Sequence, residues 1–595
     1  MRNAETVLDI IRGRGENRLH LEDVYRQLYN PDLYLRAYGK LYRNSGALTQ
    51  GSTDETIDGM SMDKINAIIE RLRYERYRWT PVRRIHIPKK NGKTRPLGIP
   101  NWSDKLLQDV IRSLLEAYYE PQFSDCSHGF RPGKGCHTAL IKIKKVWHGT
   151  KWFIEGDIKG CFDNIDQEIL LKILSEDIHD NRFMRLIENL LHAGYMENWR
   201  HTPSLSGTPQ GAIISPVLTN LYLNRLDQFV EQTLIPEYTK GKRRGHNPDY
   251  NRLSNRAYYL RKLGHVKEAK ELEQLRRSIP ANDPHDPNYR RLRYVRYADD
   301  ILLGFSGPKQ EAEEIKEKLR QFLCDDLKLE LSEEKTLITH ATTEKARFLG
   351  YDISVTQCDT KITGNKRSVN GGIALRVPAS FIHQRCQFYM KGGKPIHRME
   401  RTHDTDYSIV CQYQSEYRGY VQYYQLAENL AWLSKLRWIM QTSLLKTLAH
   451  KHKSSVAKMA RKYAATCQTP EGPRKCLEVQ VPREGKSPLI ARFGGIPLKV
   501  NQEAVIQDGF LTRPTIARTE LVQRLLANVC EACSSTQNIE VHHIRKMADL
   551  NQKGRKPTPD WIKLMASRKR KTLVLCRECH RNLHAGRPLR VTQTV

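Results

Sequence analysis

Residues 292–305 read LRYVRYADDILLGF, two apolar stretches separated by adjacent aspartates. Such a run predicts two β-strands joined by a tight acidic turn, with Asp299 and Asp300 at its exposed tip. Adjacent carboxylates repel each other, and divalent cations are well suited to offset that repulsion. Two aspartates in a turn are ordinary by themselves. A second strand-like run, WFIEGD (152–157), also ends on a carboxylate, Asp157. Three carboxylates on neighbouring strands can hold two Mg2+ ions. Such a pair activates a hydroxyl nucleophile and stabilises a pyrophosphate leaving group.

Charge narrows the partner. The 595 residues carry 98 Lys and Arg against 66 Asp and Glu, a net charge of +32. That excess argues against a typical small-metabolite enzyme and for a polyanion, because neutralising phosphates releases counterions. A membrane surface would also reward positive charge, but no long apolar run or amphipathic anchor is present. With 39% hydrophobic and 28% charged residues the chain reads as folded. At about 150 residues per domain it suggests about four domains. The 13 cysteines are thinly spread until two close pairs near the end. No signal peptide is read in the first 18 residues, so the expectation is a reducing compartment and a terminal metal site rather than disulfides.

Local pattern supplies the elements. MDKINAIIERLR (62–73) has helical spacing, as does the stretch from Leu106 to Tyr119. Residues 84–88 and 95–99 flank Asn91-Gly92, a hairpin-turn dipeptide. Residues 236–290 form a polar, charged, helix-forming insertion, notably across 257–277. It reads equally as a solvated helical hairpin or as an extra RNA-binding surface. From residue 371 the chain becomes helical, rich in aromatic and basic residues, clearest at 414–426 and 433–452. Tyr413, Tyr417, Tyr420, Tyr423 and Tyr424 lie at helical spacings, and helix-packing core is the better reading for most of them. Lys446, Lys451, Lys453 and Lys458 are candidates to track a nucleic-acid backbone. Residues 469–514 are rich in Pro, Gly and Arg and suggest a boundary.

Seven blocks carry a resemblance. They are RRIHIPKKNGKTRPLGIP (83–100), HGFRPGKGCHTAL (128–140), EGDIKGCFDNI (155–165), GTPQGAIISPVLTNLYL (207–223), RYADDILL (296–303), LSEEKT (331–336) and RFLGYDI (347–353). In this order they resemble the fingers and palm of a group II intron-encoded reverse transcriptase. The resemblance implies that Asp157, Asp299 and Asp300 are the metal ligands, and Asp163 is better read as a helix cap. Lys89 and Arg95 flank the Asn-Gly turn and would fold onto a triphosphate, for which arginine offers a bidentate fork; Lys93 is equally an exposed lysine. Gln210 and Gly211 would shape the nucleotide pocket, the glycine by close backbone approach. Phe162 is either palm core or, as the resemblance favours, a steric gate against a ribose 2′-hydroxyl.

The end of the chain has its own signal. Cys530-x-x-Cys533 and Cys576-x-x-Cys579 predict a structural Zn2+ site. EVHHIRK and LCRECHRNLH around them resemble an HNH endonuclease with a ββα-metal fold. The resemblance implies His543 as general base, His542 and His584 as ligands of a divalent ion, and His580 as a possible third. The family's central asparagine, which orients the base, is not evident; Lys571 or Thr572 falls near that place, and Asn551 is a poorer substitute.

The expected fold is therefore α+β and multi-domain. Residues 1–80 extend the fingers with helices, and 81–370 form reverse transcriptase fingers and palm with the insertion near 236–290. Residues 371–468 form the thumb, or maturase domain X, 469–521 a DNA-binding domain D, and 522–595 the zinc-containing HNH tail. The expected function combines RNA-directed DNA polymerase, splicing maturase and site-specific DNA endonuclease, acting in intron mobility by target-primed reverse transcription. Expected partners are group II intron RNA, target double-stranded DNA and dNTPs, with Mg2+ at the polymerase and nuclease sites and no membrane. The bacterial cytoplasm, near the nucleoid, is the expected location, with an organelle as the other. Two rivals are an RNA-binding maturase with relic enzymatic sites and a cellular reverse transcriptase without an intron. The intact acidic triad argues against the first, and the thumb-plus-HNH tail against the second.

Overall fold

The computed structural model describes residues 2–44, 46–88, 92, 94–197, 200–202, 207, 211–284, 286–358, 361–363, 366–367, 369–483, 485–506, 520–544, 562, 565, 571–587 and 589. A five-stranded sheet lies at its centre, in the order Ser127–His128, Arg291–Tyr297, Asp300–Ser306, Trp152–Asp157, Ile338–His340. The two long middle strands are joined by the two residues Ala298 and Asp299, with Tyr297 paired to Asp300 across the turn. Ala298 sits in the left-handed region at φ 54°. That costs about 1–2 kcal/mol for a residue with a Cβ. The Ala298 N–H is bound by the His128 carbonyl at 3.0 Å, which helps hold the turn in place.

Helices cover the sheet because their apolar faces have nowhere else to go. The helix Trp102–Tyr119 is buried along most of its length, and the helices Ala4–Glu16 and Pro31–Leu41 pack against it. Ser61 caps the helix Met62–Arg73 by accepting from the Lys64 N–H, as the 62–73 pattern predicts. The predicted hairpin forms from Val82–Pro88 and Thr94–Ile99, and extends into a four-stranded sheet with Tyr195–Glu197 and Arg200–Thr202.

The insertion is a pair of packed helices, Pro248–Lys262 and Val266–Ser278. Residues 263–265 join them, so the segment has the helical-hairpin form that is one of its two readings. Tyr258 and Tyr259 stand exposed on the first of these helices.

Beyond the sheet, Asp406–Tyr423 and Leu433–Lys451 form the helical body. Tyr413, Tyr417 and Tyr424 are buried there, so most of the tyrosine stripe is core. Lys446 donates to the Pro395 carbonyl and Lys451 to Asp406, so neither projects freely toward a partner. The expected boundary at 468/469 falls inside a strand. Residues Ala464–Thr469 begin a three-stranded sheet with Gly472–Arg483 and Lys486–Gly494. This sheet packs on the helix Asp406–Tyr423 through Phe493, which meets Tyr413 and Tyr417 edge-on or tilted at 6.3 and 6.1 Å. Gln414 and Gly494 exchange two hydrogen bonds across the same seam.

The tail is a ββα unit. Ile539–His543 pairs antiparallel with Thr572–Cys576, and the helix Arg577–His584 follows. It docks on the amino-terminal region: the Val541 N–H donates to the Met60 carbonyl, and the Gly59 N–H to the Val541 carbonyl. Among the described residues no helix is long and apolar enough to cross a membrane.

Candidate functional site

The first site lies at the sheet's acidic turn. Register places Asp157 directly opposite Asp300, and Asp299 is the adjoining turn residue. All three predicted carboxylates therefore meet at one edge. Burial and the charges of Asp299 and Asp157 raise the Asp300 carboxyl to about 7. Asp299 is also raised, by burial and by Asp157, against its own backbone hydrogen bond and the charge of Arg95. Carboxylates pushed up in this way are short of positive charge, which is the condition a divalent cation relieves. Lys335 partly supplies that charge, with its Nζ 2.7 Å from Asp157 Oδ2. The LSEEKT block contained Lys335, but its pairing with Asp157 depends on a contact 178 residues distant.

Two further residues hold the turn from beneath. Arg296 is fully buried, pairs with Asp227 at 2.6 Å, and donates to the Ala298 carbonyl at 2.8 Å. Neither residue was singled out by the sequence, because a charged residue inside a strand pattern, like Arg296, or inside a helix, like Asp227, reads as solvent-facing.

Around this edge the nucleotide residues divide. Arg95 lies on the hairpin opposite Ile87, and its charge reaches Asp299. Lys89, Asn91, Lys93 and Gln210 lie outside the described residues. Gly211 has φ 96°, and a Cβ there would lie 2.5 Å from the Gly98 carbonyl oxygen and 2.6 Å from Leu97 Cδ1. The close approach foreseen for this glycine is thus to the hairpin. Gly207, at φ 80°, is pressed equally hard on the backbone of Phe162 and Asp163. Phe162 is half-buried on the short helix Cys161–Asn164, edge-on to Phe130 at 6.4 Å, while its neighbour Cys161 faces the core. The cap of the next helix is Asp166, which accepts from the Ile169 N–H; Asp163 sits within the short helix and is not that cap.

The second site is in the tail. Cys530, Cys533, Cys576 and Cys579 bring their sulfurs within 4.8 Å of one another. Cys533 and Cys576 are 3.7 Å apart, close to the about 3.8 Å edge of a tetrahedron with zinc–sulfur bonds of about 2.3 Å. The Cys533 and Cys579 amides point at the sulfurs of Cys530 and Cys576. Burial and the neighbouring thiols push the Cys579 thiol far up. Four thiols so placed fit Zn2+.

The third site adjoins it. His542 Nδ1, His580 Nε2 and His584 Nε2 converge, with 3.3 Å between the first two and 3.1 Å between the last two. Glu540 accepts from His580 Nδ1 at 2.9 Å, which turns the Nε2 lone pair inward. Asp58, from the amino-terminal region, joins the cluster at 2.8 Å from His584. Burial works against the Asp58 charge, but the neighbouring His542 and His580 hold the carboxyl far below its usual range. Nothing in the sequence marked Asp58.

His543 points the other way. Its Nδ1–H donates to the Val541 carbonyl at 3.1 Å, and its Nε2 meets the Tyr38 hydroxyl at 3.2 Å. Burial lowers the imidazole to about 4, so it is neutral at physiological pH and able to accept a proton. The orienting carbonyl is therefore that of Val541 on the same strand. Thr572 is His543's register partner, and Lys571 follows the expected place without bonding the ring through its carbonyl, which instead accepts from the Ile544 N–H. Asn551 lies outside the described residues.

Three known families match successive parts of the chain. Residues 87–353 match the model of the reverse transcriptase (RNA-dependent DNA polymerase) family. Residues 377–481 match type II intron maturase, and 530–580 match the AI2M/AI1M-like HNH endonuclease. The chain is 40% identical to the group II intron-encoded protein LtrA of Lactococcus lactis subsp. cremoris, covering 94% of this chain and 95% of that one. It is 36% identical to an uncharacterized 91 kDa protein in a cob intron of Schizosaccharomyces pombe, covering 98% and 73%. It is 33% identical to a putative COX1/OXI3 intron 1 protein of Saccharomyces cerevisiae, covering 94% and 68%. The maturase match runs through residue 481, past the expected thumb boundary and into the three-stranded sheet.

Proposed function

The chain belongs to the group II intron-encoded proteins, and from that premise we propose that it splices, copies and inserts the intron that encodes it. It is an RNA-directed DNA polymerase and an HNH endonuclease carrying a maturase domain. In our reading the protein binds its intron RNA through the basic surface that its net charge of +32 provides. The spliced RNA inserts into one strand of target DNA, and the tail nicks the other. The new 3′-hydroxyl then primes copying of the RNA.

The observation that carries the polymerase reading is the pairing of Asp157 with Asp300 beside Asp299. These residues would hold Mg2+, which when bound favours ionisation of the primer 3′-hydroxyl and balances charge on the departing pyrophosphate. Arg95 contributes positive charge to the incoming triphosphate. Phe162 closes the side of the pocket where a 2′-hydroxyl would sit, and Gly207 and Gly211 keep that wall close to the hairpin. In the tail, the four cysteines would hold structural Zn2+, and His543 accepts a proton from the attacking water through Nε2. His542, His580 and His584 would hold the divalent ion that binds the scissile phosphate. The target DNA places the protein's work at the nucleoid in a bacterial host.

Primer extension on an artificial template tests this reading. Asp157→Ala and Asp299→Ala should each abolish synthesis while RNA binding and splicing persist. Wild-type extension by either variant would remove the basis of the assignment.

A further inference from the structure

The strongest unassigned feature is the meeting of Asp58 with the tail histidines, which the polymerase chemistry does not use. Asp58 precedes the helix Met62–Arg73, on a segment held by two backbone hydrogen bonds to Val541. Met60 is fully buried, and the Trp102 indole N–H points at its sulfur. The Asp58 carboxylate is also gripped from the other side, where Oδ1 accepts the His543 backbone N–H at 2.7 Å. Its position is therefore built by both parts of the chain.

The distances have the dimensions of a coordination shell. Asp58 Oδ1 lies 3.3 Å from His542 Nδ1, and Asp58 Oδ2 lies 3.3 Å from His580 Nε2. Asp58 Oδ2 is 2.8 Å from His584 Nε2, and His542 Nδ1 is 3.3 Å from His580 Nε2. Ligands at about 2.0–2.1 Å from a tetrahedral metal are about 3.3–3.4 Å apart. Because His580 Nδ1–H is committed to Glu540, its Nε2 faces the other nitrogens with a lone pair, and a shared cation resolves that confrontation.

We propose that Asp58 is the fourth ligand of the tail's divalent cation, so that the metal bridges the amino-terminal region and the endonuclease and closes the nuclease in its docked state. This rests on the reading of His542, His580 and His584 as ligands. A hydrolytic metal keeps one position open for water or substrate, whereas four protein ligands make a closed site. The other half of the chemistry is covered from the same side, since Tyr38 occupies the reactive nitrogen of His543. DNA phosphate must then displace Asp58, and the base must leave Tyr38, before cleavage. Docking against the reverse transcriptase is thereby a safeguard against nicking without a bound target.

Cobalt spectroscopy on the full-length protein tests this, with zinc already filling the four-cysteine site. Four-coordinate Co2+ absorbs visible light far more strongly than the six-coordinate ion, so an all-oxygen polymerase site does not interfere. Wild-type protein should show the intense four-coordinate bands. Asp58→Ala, with water taking the opened corner, should shift these bands and bind Co2+ about tenfold more weakly or worse. Asp58→His, which keeps a protein ligand at this corner, should restore the affinity. Retained primer extension and retained zinc verify that each variant is folded. An Asp58→Ala spectrum and affinity equal to wild type, with both lost in His580→Ala, overturns the Asp58 assignment and leaves the histidine site standing. If His580→Ala also changes nothing, the histidine reading fails and the inference fails with it.

Discussion

Arg296 and Asp227 form a fully buried ion pair beneath the acidic turn, 2.6 Å apart, and Arg296 also reaches the carbonyl of Ala298 inside that turn. Removing one partner strands the other charge. Asp227→Ala should destabilise the fold by about 3–5 kcal/mol. It should also weaken primer extension by the variant that remains folded, because Arg296 anchors the backbone between Tyr297 and Asp299. Replacing both residues with apolar ones of similar size should recover stability without recovering extension. Chemical unfolding and single-nucleotide incorporation check the two effects separately.

Phe162 offers a specificity prediction. Phe162→Val should admit ribonucleotides and lower discrimination against them by about tenfold or more. The ring stands half-exposed beside Phe130, so shortening it opens space without hollowing the core. The ratio of incorporation efficiencies for deoxy and ribo substrates reads the effect. An active variant with an unchanged ratio would exclude the gate.

His128 makes the palm acid-sensitive. Burial, with the charges of Lys134, Lys142, Arg131 and Arg296, lowers its imidazole from 6.5 to about 3. Between those values the unfolded chain binds a proton that the folded chain refuses. The contribution is therefore complete above pH 6.5 and is lost as pH falls toward 3, by about 1.4 kcal/mol per pH unit inside that window. His128→Asn should flatten the slope of unfolding midpoint against pH between 4 and 6.5. The same slope in both proteins would remove His128 as its source.

Zinc removal should be local in effect. Cys533→Ser should release the ion and unfold the ββα unit, because such modules draw much of their folding free energy from the metal. Extension of a primed template should persist. Stoichiometric zinc in that variant would show that Cys533 is not a ligand.

His543→Ala should separate cutting from copying. Its ring is outside both metal clusters, so zinc should remain bound while the nick opposite the insertion site is lost. The assay is a duplex labelled on each strand, cut by ribonucleoprotein. Second-strand nicking at the wild-type rate would dismiss His543 as the base.

What the residues alone determined is whatever depends on short spacing. Apolar stretches on each side of Tyr297 to Asp300 define a hairpin, and its turn has to carry Asp299. Two Cys-x-x-Cys pairs bring their sulfurs into grasp of one ion. The tyrosines at three- and four-residue intervals share a helix face, and burial of three of them follows from that periodicity. The tertiary structure decided everything that joins distant segments. It turned Arg296 inward, because Asp227 waits there to neutralise it, whereas the alternation of a strand specifies only a face. It ran the three-stranded sheet into the thumb across an apparent boundary, because Phe493 needed Tyr413 and Tyr417 to leave water. It brought Asp58 to histidines up to 526 residues later in the chain. A lone aspartate in a loop has no pattern, and its chemistry begins only when the folded backbone aims it at nitrogens that share a charge.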